Sequence, residues 1–100
     1  MFSIKETVRL QGLKPEAVPI LIVANEVYSS MGYDCIVTSV TDSQHTAKSL
    51  HPFGYSVDLR TKHVPCEKHA AIAKEIATRL GPQYDCVLES DHIHCEFDCR

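Results

Sequence analysis

Apolar residues recur at helical spacing in two stretches of the chain and alternate with polar ones in several shorter ones. Ile20, Val23, Ala24, Val27, Tyr28 and Met31 form one stripe of a helix over residues 15–31, and Pro15 suits its first turn, where the missing N–H costs nothing. Pro19 lies in or near that turn, so the regular helix can begin closer to it, and Gly32 follows as a C-cap. A second stripe, His69, Ile72, Ala73, Ile76, Ala77 and Leu80, predicts a helix over 65–80 that Gly81 and Pro82 end. "YDCIVTSV", rich in β-branched residues, predicts a strand. "YSVDLRT" alternates, with Val57 and Leu59 on one side and Ser56, Asp58 and Arg60 on the other. "YDCVLES" and "HIHCEFD" predict an antiparallel pair joined tightly around Ser90 and Asp91, with Ile93, Cys95 and Phe97 alternating against His92, His94 and Glu96. Between the first two strands, residues 41–54 are polar and hold Pro52 and Gly54, a long loop of the kind that usually carries function in a compact domain.

The order helix, strand, loop, strand, helix, strand, strand predicts a small α+β domain with a mainly antiparallel sheet and two helices. One hundred residues suit a single domain over 1–100, large enough to hold a core without staples. A net charge of −3 argues against binding by phosphate neutralisation, so no nucleic-acid partner is expected. "MFSIKETVRL" lacks the pattern of a signal peptide, and "AVPILIVA" is far shorter than the ~18 apolar residues that span a bilayer. The expectation is a monomer, cytoplasmic when synthesised and without membrane insertion. Cys35, Cys66, Cys86, Cys95 and Cys99 are odd in number and contain no Cys-x-x-Cys pair, which excludes a complete disulfide framework and predicts mostly buried, reduced thiols.

The polar sides of two strands carry chemistry. A solvent-wetted sheet face favours Lys, Glu and Thr, whereas these offer Asp58, His92 and His94, with His51 close by. Those are residue types that zinc takes as ligands. Asp58 follows His51 by seven positions, an odd offset that would put them on opposite faces of a continuous strand. Pro52 and Gly54 break the strand, so the loop can turn His51 back over Asp58. A third ligand from the last strand would leave one coordination position open, as catalysis needs. Residue types alone leave a metal site and a solvated face both open.

The segment "SLHPFGYSVDLRT" resembles the Ser-x-His-x-x-Gly-x-Ala-x-Asp motif of zinc D-Ala-D-Ala metallopeptidases and related phage cell-wall endopeptidases, with Ser49, His51, Gly54 and Asp58 in register. "DHIHCEFD" resembles their closing His-x-His strand, and the likeness spans residues 38–98. The resemblance implies the zinc peptidase core of the D-Ala-D-Ala metallopeptidase type, with His51, Asp58 and His94 holding Zn2+. It implies Asp91 as general base and His92 as the group that stabilises charge on the attacked carbonyl. Glu89 is the alternative base; in that register His92 becomes the ligand. Ser49 and His45 are candidates for substrate binding. "TSVTD" stands where the family commonly carries an arginine that holds the substrate carboxylate. Arg60 is the candidate replacement, and an ion pair with Glu96 is its alternative role. The implied partner is the peptide stem of bacterial peptidoglycan, cut by an endolysin or wall-remodelling enzyme that acts on the wall after release, as in a phage-infected cell. The reading from another class is a non-catalytic zinc-containing module that binds the wall or serves as a virion component.

Overall fold

The structure is a computed structural model that describes residues 2–5, 15–40 and 56–97. Its strands are β1 (Phe2–Ile4), β2 (Cys35–Ser39), β3 (Ser56–Arg60), β4 (Tyr84–Leu88) and β5 (His92–Phe97), and its helices are α1 (Val18–Ser30) and α2 (Cys66–Leu80). The strands form one mixed sheet in the order β1-β2-β3-β5-β4. The described elements therefore make a small α+β domain.

Both helices follow their apolar stripes. A single 3-10 turn over Pro15–Ala17 precedes α1, and Pro19 falls in the first α-helical turn, where its absent N–H leaves no bond unmade. Ile20, Ala24, Val27 and Tyr28 are fully buried. The helix ends in a Schellman arrangement: Gly32 N–H donates to Ser29 O at 3.0 Å and Tyr33 N–H to Tyr28 O at 3.0 Å. Gly32 makes this possible with φ +88°, a conformation that costs a side-chain-bearing residue about 1–2 kcal/mol. Helix α2 buries Ile72, Ala73 and Ile76 and stops at Gly81.

These helical residues pack on Val37, Val57, Leu59, Ile93 and Cys95, which the strands turn to one face of the sheet. Each fully buried Ile or Leu here contributes about 1.5–3 kcal/mol through removal of apolar surface from water. The opposite face carries Asp58, His92, His94 and Glu96, all half-buried. No helix among the described residues is long and apolar enough to cross a membrane.

The sheet adds a strand that the sequence pattern did not predict. β1 runs parallel to β2, with Phe2 opposite Cys35 and Ile4 opposite Val37, and Lys5 N–H continues the ladder to Val37 O at 2.8 Å. Its three residues are too few to establish an alternation. The remaining neighbours, β2–β3, β3–β5 and β5–β4, are antiparallel. Between β2 and β3 the register slips: Val37 pairs with Leu59, but Ser39 pairs with Asp58. Thr38 is the extra residue of this bulge, of the kind that re-aims side chains at the rim of a site. The cysteines also differ from expectation. Cys35 and Cys95 are buried, but Cys86 is half-buried and Cys66, at the start of α2, is exposed.

Candidate metal and catalytic site

The polar row on the open face is built by the β3–β5 ladder. Asp58 lies directly opposite His94, and Arg60 opposite His92. Alternation keeps Val57, Leu59, Ile93 and Cys95 in the core, so the residues between them must face outward together. Asp58 and both histidines are thereby brought together from strands that are far apart in the chain.

Their contacts form a continuous line of acids and imidazoles. His94 Nδ1 lies 2.7 Å from Asp58 Oδ1, and His94 Nε2 lies 3.1 Å from Glu96 Oε1. His92 Nδ1 lies 2.7 Å from Asp91 Oδ1, and its Nε2 lies 3.8 Å from Asp58 Oδ2. The hydrogen bond to Asp58 raises the His94 pKa above the ordinary histidine value, against the effect of burial. The hydrogen bond from His92 lowers the Asp91 carboxyl below the ordinary carboxylate value. Asp91 is therefore ionised at neutral pH.

Two of the three expected zinc ligands, Asp58 and His94, meet. Atoms that bond one zinc ion at ~2 Å each lie within ~4 Å of one another, and the 2.7 Å between Oδ1 and Nδ1 satisfies that limit. The donor chemistry suits the ion as well. With one His94 nitrogen turned to Asp58 and the other to Glu96, the ring has the carboxylate partner that orients metal-binding histidines. Among the described residues, no group of three or more His, Cys, Asp or Glu side chains is arranged to hold a metal ion. His51, the third expected ligand, lies outside the described residues, as do the substrate-binding candidates Ser49 and His45.

The two candidate bases are unlike in their contacts. Asp91 reaches the His92 ring through its carboxylate, whereas Glu89 meets His92 through the backbone, its N–H donating to His92 O at 2.8 Å. Arg60 does not serve the ion pair considered for it. Glu96 sits opposite Ser56, at the far end of β3 and about 13 Å along the strand from Arg60, and it bonds His94 instead. Arg60 lines a cleft of ≈ 350 Å³ together with Lys5, Thr38, Asp58, Lys62, Asp91 and His92.

Lys5, Lys62 and Thr38 are members of this cleft that the sequence reading did not single out. Lys5 arrives through the parallel pairing of β1 and Thr38 through the bulge, and neither leaves a mark in a local pattern. Lys62 follows two residues after Arg60, where continued alternation was a usable signal. Three cations thus rim a site on a chain whose net charge is −3. Comparison of the chain with family models, curated proteins and solved structures found no match.

Proposed function

We propose that the chain is a zinc-dependent peptidase that hydrolyses the peptide stems of bacterial peptidoglycan. The observation that carries this reading is the 2.7 Å separation of Asp58 Oδ1 and His94 Nδ1 on two separate strands. Asp58, His94 and His51 would hold the ion. Bound zinc supplies Lewis acidity, which makes water a nucleophile near neutral pH and polarises a carbonyl.

The other tasks fall to the chain's own residues. Asp91 takes a proton from the attacking water and returns it to the leaving amine. Its Oδ1 is engaged with His92, so the other carboxylate oxygen receives that proton. The His92 ring, oriented through Nδ1 by Asp91, stabilises the oxyanion that forms on the attacked carbonyl. Lys5, Arg60 and Lys62 attract the carboxylates that peptidoglycan stems carry.

The test is incubation of the zinc-loaded protein with purified sacculi, followed by mass spectrometry of the released material. Stem fragments whose new termini identify one peptide bond are expected, and a chelator should stop their release. Full zinc occupancy without fragments would overturn the enzyme and leave a wall-binding module.

A further inference from the structure

We propose that Cys86 and Cys95 are a reversible disulfide site that ties the sheet's edge strand to the strand bearing both histidines. The two residues lie directly opposite each other in the β4–β5 ladder. The phase of the ladder follows from the turn. Glu89 N–H donates to His92 O, so Glu89 and His92 form a hydrogen-bonded pair. Alternation then makes Leu88–Ile93 a non-hydrogen-bonded pair, Val87–His94 a bonded one and Cys86–Cys95 a non-bonded one. Residues at such positions have Cα atoms about 4.5 Å apart, inside the range of roughly 4.4–6.8 Å that a disulfide spans. Both side chains leave the sheet on the same side, flanked by the Tyr84–Phe97 ring pair and by Leu88 and Ile93. The register therefore places the two thiols within reach of a single bond.

The difference in exposure sets the order of events. Cys86 is half-buried on β4, an edge strand, while Cys95 is fully buried. With glutathione disulfide as oxidant, the Cys86 thiolate attacks one glutathione sulfur and expels a glutathione thiolate, leaving a mixed disulfide. Cys95 then gives its proton to solvent, and its sulfur attacks Cys86 Sγ and expels the second glutathione thiolate. The protein loses two electrons and two protons, and the oxidant becomes two glutathione thiols. The site does not depend on what the cleft binds.

The experiment treats the full chain with glutathione disulfide, blocks remaining thiols with iodoacetamide and cleaves after Glu89, which separates the two cysteines. A Cys86 fragment joined to a Cys95 fragment and released by dithiothreitol is expected, and Cys86→Ser should abolish the joined species. Alkylation of both cysteines would overturn the proposal. So would a glutathione adduct that persists on Cys86, or a link from either residue to Cys35, Cys66 or Cys99. If Cys86→Ser fails to fold, mapping of the parent chain decides by itself.

Discussion

Asp58 and His94 face each other across the β3–β5 ladder, and the histidine's second nitrogen is held by Glu96. A ring fixed at both ends keeps its Nδ1 aimed at the carboxylate even before an ion arrives. Glu96→Gln should therefore lower zinc affinity by about 10–100-fold while leaving the fold intact. Competition with a fluorescent zinc chelator measures it; an unchanged affinity would remove Glu96 from any role at the metal.

The raised His94 pKa has opposite consequences for the two forms of the chain. In the metal-free form, the folded value lies above the unfolded value of about 6.5. The His94–Asp58 contribution to stability is thus complete below about 6.5 and is lost as pH rises through the folded value. Zinc needs the neutral ring, so binding expels this proton, and affinity falls by up to about tenfold per pH unit as pH drops below the folded value. Denaturant midpoints against pH, with and without zinc, should slope in opposite directions. Calorimetry in two buffers of different ionisation enthalpy counts the proton.

Two substitutions separate binding from turnover. Asp91→Ala leaves the expected ligand set whole, so zinc content should match the parent while kcat falls by about 10²–10⁴-fold. His94→Ala should lose both zinc and activity. Metal analysis beside the sacculus assay distinguishes them, and full turnover by Asp91→Ala would transfer the base to Glu89.

The cationic rim should act on substrate capture. Single changes Lys5→Ala, Arg60→Ala or Lys62→Ala remove exposed or partly exposed charges, each worth at most about 1 kcal/mol, so KM should rise a few-fold with kcat unchanged. The effect should fade near 1 M salt, where screening acts within about 3 Å. Amidated stems, stripped of their carboxylates, should respond to none of the three.

Much of this geometry could be read locally, and the rest could not, for a physical reason. Alternation over 56–60 and 92–97 says which side chains share a face, because a strand leaves no other choice once Val57, Leu59, Ile93 and Cys95 enter the core. It does not say which residue stands opposite which. The expectation of an Arg60–Glu96 ion pair chose the correct face and the wrong register, since pairing depends on the Ser90–Asp91 turn and on β5 inserting beside β3. Lys5 was invisible because a three-residue parallel strand is held by its neighbour, not by its own pattern. Thr38 entered the cleft through a slip of one residue, which no periodicity records.

β3 has β2 on one flank and β5 on the other, so the strand bearing Asp58 presents no open edge. Its amides can exchange with deuterium only when a neighbouring strand detaches, an event that approaches complete unfolding. The carboxylate is thus moored to an interior strand of the sheet, while Lys5 directly follows β1, a strand at the margin of the described sheet. Proteolytic trimming or fraying at that margin would degrade capture of a peptide long before it disturbed the chelating pair.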